Sequence, residues 1–236
     1  VTTLLLLGNI PVPYSGDFST NATFPPPDGH VENSGNHTGA WPADVYYADL
    51  DGKWTDDQVY RKTGAQSRHH NIPDDGKFDQ TKLPTDIELE MGRIDLSKMT
   101  KFAFTETELL RNYLDRNHAW RTQQTKTVER ALVDNNFGAF NLASTGYHNF
   151  SAFFSVDSIY DKDYLTSQKA EPYLWSYGCG AGSYTRCNGV GNADSFKNND
   201  VKNVFTILAG SYFGDWDVSN NFLRAPLCNN TLASFW

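Results

Sequence analysis

The chain has 236 residues, 39% of them hydrophobic and 14% aromatic, enough apolar material for a substantial core and too much for a disordered chain. Lys and Arg total 20 against 28 Asp and Glu, for a net charge of −8, and no basic run occurs, so the electrostatic footprint of a nucleic-acid binder is missing. The longest apolar run, Leu4 to Leu7 with its flanks, is far too short for a membrane span, and no charged segment of a signal peptide precedes it.

Val1-Thr-Thr-Leu-Leu-Leu-Leu begins almost inside a strand, and Thr231-Leu-Ala-Ser-Phe-Trp236 stops on apolar residues. Ends of this kind are expected of a processed product or a piece of a longer polypeptide. Thr2 to Asn9 predicts a first strand, stopped by Gly8 and barred from continuing by Pro11 and Pro13. From about 13 to 41 the composition shifts to Ser, Asn, Pro, Gly and Thr, with Pro25-Pro26-Pro27 inside it. That predicts a long surface excursion of the sort that serves as a binding element. Sequons at Asn21, Asn36, Asn149 and Asn229 are compatible with export.

Ala43 to Trp54 predicts a short strand running into an Asp49-x-Asp51-Gly52 turn, and Pro73-Asp-Asp-Gly-Lys-Phe-Asp79 repeats that chemistry within a second insertion at about 51–83. Aspartates clustered round a glycine suit calcium, which takes six to eight oxygens at flexible angles, and the candidate set is Asp49, Asp51, Asp75 and Asp79. Asx-turns whose carboxylates bond their own backbone explain the same pattern. His69 and His70 are adjacent and point apart, which does not make a zinc site.

Asp86 to Asp95 alternates apolar and charged residues, as a half-exposed strand does. Thr105-Glu-Thr-Glu108 is a capping box ahead of Leu109, Leu110, Tyr113 and Leu114, so a helix is expected over about Glu106 to Trp120. Val128 to Asp134 predicts a strand, Phe140 to Phe154 a second helix and Ser195 to Lys202 a short third one. Two more apolar runs, PYLWSYG and VFTILAGSY, break into glycine turns at Gly178–Gly182 and Gly210–Gly214. Such runs predict buried parallel strands, and the loops at their carboxyl ends are where ligands and catalytic groups collect in open parallel sheets. The alternation predicts an α/β fold with a mostly parallel sheet flanked by helices. Cys179, Cys187 and Cys228 leave one thiol over if two bridge; a Cys179–Cys187 bridge and three buried thiols both fit the spacing. Asp215 and Asp217 predict solvated turn residues, with an acidic pocket beside Ser211 as the alternative.

Taken in order, LLLLGNIPVP, ADVYYADLDGKW, IELEMGRIDL with a helix after it, SYGCGAGSYT and VFTILAGSYFGDW resemble the caspase-like catalytic domain of the gingipain-type cysteine peptidases of clan CD. The resemblance covers most of the chain and implies one caspase-like α/β domain over 1–236, with irregular insertions at about 13–41 and 51–83. In that family the fourth segment carries a Gly-His-Gly whose histidine is the general base. The fifth carries the nucleophilic cysteine, followed three residues later by Gly and five later by an aromatic. Carried over by position, Ala181 stands where the histidine belongs, or Cys179 in a frame two residues earlier, and Ser211 stands where the cysteine belongs, ahead of Gly214 and Trp216.

A thiol or hydroxyl nucleophile needs an adjacent base, which neither Ala nor Cys supplies. The resemblance therefore implies a non-catalytic pseudopeptidase domain of an exported protein, secreted or at the cell surface, with a binding or structural-assembly role. Its expected partners are a protein or peptide, itself, or the rest of a longer chain, with calcium as a retained ion. An active cysteine endopeptidase using Cys179, with His118 or His148 as base, is a second expectation. A carbohydrate- or protein-binding module, resting on six Trp and twelve Tyr, is a third.

Overall fold

The computed structural model describes residues 2–16, 39–58, 67–126, 128–138 and 142–236. Pro25-Pro26-Pro27 and the sequons Asn21 and Asn36 lie outside these residues. Two compact units divide the chain, Val1–Ile94 and Asp95–Trp236.

In the first unit the leucine run forms β1 (Thr3–Leu7). Tyr14–Ser15 (β2) and Trp41–Pro42 (β3) pair antiparallel and close the ends of the first excursion. The alternating segment forms β4 (Glu90–Ile94), which pairs parallel with β1, Leu6 opposite Arg93. The strand expected from Ala43 does not form; Asp44–Tyr47 is a single 3-10 turn. Its cause is visible in the side chains. Asp44 takes a two-pronged ion pair from Arg93 at 2.6 and 2.8 Å, and Tyr46 turns inward to stack on Phe78 with ring centroids 4.6 Å apart. Trp54 meets both rings edge-on.

The second unit is built on a five-stranded, wholly parallel sheet. Glu106–Arg121 forms α1, and its first turn is the expected capping box: Thr105 accepts from the Glu108 amide while the Glu108 carboxylate accepts from the Thr105 amide. Ala131–Asn135 is β5, Ala143–Ser151 is α2 and Ile159–Asp161 is β6. Tyr164–Ala170 is α3, capped by Asp163, and Tyr173–Cys179 is β7. Gly182–Ser183 (β8), Arg186–Cys187 (β9) and Gly191–Asn192 (β10) make a small antiparallel sheet of their own. Ala193–Asn198 is α4, Asn203–Ala209 is β11 and Ala233–Phe235 is β12. The strand order is β12-β11-β7-β5-β6. Mixed α/β with a parallel sheet between helices is therefore the architecture, as the alternation of elements predicts.

Period-2 alternation sorts β7 and β11 onto two faces. On one, Ala131, Val133, Tyr177 and Cys179 pack under Ala143 and Phe150 of α2, while Trp120 of α1 meets Phe205 edge-on. On the other, a row of polar side chains is sealed in. Tyr164 Oη lies 2.7 Å from Thr206 Oγ1, Ser176 donates to Thr206 at 3.0 Å, and Asn203 donates to Ser176 at 2.8 Å and accepts from Thr231 at 2.7 Å. A buried polar row satisfied member by member fixes strand register more tightly than apolar packing alone.

Candidate functional site

β7 and β11 are neighbours, with Leu208 opposite Gly178 and Ala209 opposite Cys179. Both strands stop at the same level, so the turns after them meet at the carboxyl edge of the sheet. The Gly180 amide donates to the Ala209 carbonyl at 3.1 Å. A methyl group built on Gly182 would stand 2.5 Å from the Ser211 nitrogen, and one built on Gly210 would stand 2.7 Å from the Gly180 oxygen. The two glycine turns are thus pressed backbone to backbone, which any side chain at Gly182 or Gly210 would prevent. Ala181 lies between Gly180 and Gly182 on one turn, and Ser211 follows Gly210 on the other.

The edge is completed from the outside. The Trp236 indole donates to the Gly210 carbonyl at 2.7 Å, and Tyr184 and Tyr212 place their rings 5.2 Å apart. Tyr212 holds φ at 70°, a left-handed conformation that costs a non-glycine residue roughly 1–3 kcal/mol. The strained residue is the one directly after Ser211. Asp215, expected in solvent, is fully buried, and Asn221 donates to its carbonyl at 3.1 Å and to that of Phe213 at 3.2 Å. The turn therefore folds inward and offers the edge a rigid wall.

Chemically the edge is quiet. Cys179 is completely buried in the core under α2, its thiol 3.4 Å from the Asn135 amide oxygen, and burial raises its pKa. Cys187 is pushed up to about 12 by burial, and its thiol donates to the Gly180 carbonyl. Burial takes Cys228 to about 12 as well. All three cysteines are free, so the Cys179–Cys187 bridge is absent. Thiols held neutral in apolar surroundings are poor nucleophiles. His118 and His148 are exposed side chains on α1 and α2, far from the burial that Cys179 has. Asp134, opposite Gly178 in register, accepts from the Tyr164 amide at 2.8 Å, and burial raises its pKa. Its hydrogen bond ties it to the α3 start.

Comparison with family models, with curated proteins and with solved structures finds no match to this chain.

In the first unit the predicted aspartates separate. Asp49 is buried and accepts from the Gly52 amide at 2.7 Å, the Thr85 hydroxyl at 2.6 Å and the Trp54 indole at 3.2 Å. Thr85 is the chief reason its pKa is lowered. Among the described residues the carboxylates whose oxygens lie within 4.8 Å of one another are Asp49, Asp51 and Glu88, and Glu88 accepts from the Leu50 amide at 2.7 Å. Asp75 belongs to its own turn, accepting from the Ile72 and Lys77 amides and pairing with Lys77 at 3.1 Å. Asp79 accepts from the Asp57 amide and the Thr55 hydroxyl, and burial raises its pKa. Glu88 was not in the predicted set; its place next to the turn depends on the Ala48 carbonyl, which accepts from the Glu88 and Leu89 amides.

Two carboxylates with opposite shifts make a pH prediction. Asp49 has its folded pKa below the usual 3.8, so it contributes stability above that value and loses it as the pH falls through the lower folded value. Asp79 works the other way: its raised folded pKa favours the folded state on protonation, as pH falls towards 3.8. A methyl on Gly52 would stand 2.5 Å from Asp49 Cγ. Gly52→Ala is therefore expected to lower the melting temperature of the first unit at neutral pH and to flatten its loss below about pH 4, read by circular dichroism melts across pH. An unchanged acid limb in the variant would contradict the role given to Asp49.

Proposed function

We propose that this chain is a non-catalytic domain of the gingipain-like, caspase-like type, a pseudopeptidase whose sheet edge binds a protein or peptide instead of cutting it. The observation that carries the reading is the pressing together of the turns 180–182 and 210–211 at the carboxyl ends of adjacent parallel strands; the resemblance assigns Ala181 and Ser211, on those turns, the positions of the base and the nucleophile. An exported setting, secreted or at the cell surface, and assembly with itself or with further chain fit that role and rest on the same resemblance. Support for an endopeptidase using Cys179 is weaker, because the thiol is sealed under α2 and its ionisation is disfavoured. The binding-module alternative would draw on exposed aromatic rings, and Trp41, Tyr164 and Tyr173 are not among them: all three are fully buried and serve as core.

The test is a panel of peptide substrates with and without reducing agent, with Cys179→Ala alongside. No turnover by either protein is expected. Turnover abolished by Cys179→Ala would overturn the reading.

A cation at Asp49, Asp51 and Glu88 is a separate reading. Three carboxylates fall short of the six to eight oxygens calcium takes, and the Asp49 carboxylate already serves three donors of the protein. A site there would need backbone carbonyls or water to complete it. Binding to the native state alone raises the melting temperature with ligand concentration. Millimolar calcium that raises the melting point, reversed by chelator, supports the ion; a flat response leaves the Asx-turn as the whole explanation.

A further inference from the structure

The amino-terminal edge of the parallel sheet, the end opposite the glycine turns, holds a cavity of about 560 Å³ between the second half of α1 and the residues leading into β5, β7 and β11. Its volume is in the range of small-molecule sites and too small for a folded partner. Trp120, Val128 and Leu232 give it apolar walls, and Trp120 is braced edge-on against Phe205 with centroids 5.3 Å apart. Val128 is 40% exposed, an apolar side chain left open to solvent at the rim.

The polar lining is unequal in what it leaves available. Of the acidic members, Asp200 accepts from the Asn230 side-chain amide at 2.6 Å, and Asp115 lines the cavity from α1 with its side chain exposed. Of the basic members, Lys126 and Lys202 have no ion-pair partner among the described residues. Arg116 spends one terminal nitrogen on the Leu227 carbonyl at 2.8 Å, but its Nε is buried with no acceptor among the described residues. That nitrogen is sealed from the cavity too, so what Arg116 brings to the lining is its charge, which acts through space on an anion in the cavity. Three cations stand against the two carboxylates Asp115 and Asp200, a surplus of one, and the carbonyl end of α1 at this side opposes an anion by about half a charge. In a chain of net charge −8, an apolar cavity with a surplus of cations is complementary to an anion with a flat apolar body.

We propose that this cavity binds a small organic acid, its ring laid on Trp120 and its carboxylate held by Lys202 in the field of Arg116. The site is independent of the carboxyl edge and of any peptidase ancestry. The test uses 2-naphthoate, with neutral 2-naphthamide as the isosteric control, by isothermal titration on the full chain. Saturable binding of the naphthoate is expected, with the amide weaker by about tenfold, the scale of one charge-assisted hydrogen bond. Lys202→Glu should weaken the naphthoate by at least as much, and Val128→Trp, which fills the rim, should abolish it, both with unchanged circular dichroism melts. Equal affinity for acid and amide, no saturable binding at millimolar naphthoate, or binding untouched by Val128→Trp would each overturn the proposal.

Discussion

Arg224→Ala is expected to cost the second unit about 3–5 kcal/mol, because it removes one partner of a buried ion pair and strands the other. Arg224 and Asp95 keep side-chain exposures of 5% and 3%, with Nη1 to Oδ1 at 3.2 Å. The guanidinium also donates to the Asp95 carbonyl at 3.1 Å, the Ser97 carbonyl at 2.9 Å and the Val218 carbonyl at 2.7 Å. One side chain thus ties the turn after Ser211 to the start of the unit, and Asp95 without it would be a buried carboxylate with no counter-charge. Arg224→Lys should recover only part of the loss, since an ammonium cannot reproduce the fork that reaches three carbonyls at once. Chemical denaturation read by tryptophan fluorescence measures both. An Arg224→Ala variant as stable as the parent would remove the pair from the list of anchors for the carboxyl edge.

Gly182→Ala carries the second large effect. The added methyl would overlap backbone atoms of Ser211, not the far end of a flexible side chain, so relief requires the two turns to part. Overpacking against a fixed backbone costs about 2–3 kcal/mol, and here the strain falls on the contact that defines the site. Gly76→Ala makes the control: a methyl there meets nothing within 4 Å, although φ of 84° adds its own strain. The expected result is a larger stability loss at Gly182 than at Gly76, together with shifted amide resonances for Tyr184 and Tyr212, whose rings frame the turn. Resonances confined to residue 182 and its chain neighbours would show that the turns do not lean on each other.

How much of this was legible in the sequence depends on the range over which each signal acts. The capping box at Thr105 and Glu108 is spelled out within four residues, and α1 begins where it says. The glycine breaks at Gly178 and Gly210 are equally local, and β7 and β11 each end within one residue of them. Other elements had too little sequence to declare themselves. β12 and β6 are three residues each, and α3 is seven, its start marked only by Asp163 accepting from the Thr166 amide at 2.7 Å. Ser176 and Thr206 lie inside runs expected to be buried strands, but the hydrogen bonds that let them and Asn203 be sealed there run between strands, which no local signal spells out. Asp95 and Arg224 are 129 residues apart, and Glu88 joins the Asp49 turn through backbone bonds; no spacing rule reaches either. Asn229 shows the same limit for motifs: its amide donates to the Phe196 and Asn199 carbonyls at 2.7 and 2.9 Å, so that sequon serves packing.

The central claim is that Ala181 and Ser211 occupy the places of a lost base and nucleophile, and that Cys179 is a core residue. A peptidyl electrophile that alkylates only an activated thiolate, followed by intact-mass and peptide mapping, tests it in one measurement. The account predicts no adduct on the parent protein and a single adduct at position 211 when Ala181→His and Ser211→Cys are combined. An adduct on Cys179 of the parent, blocked by competing peptide, would contradict it.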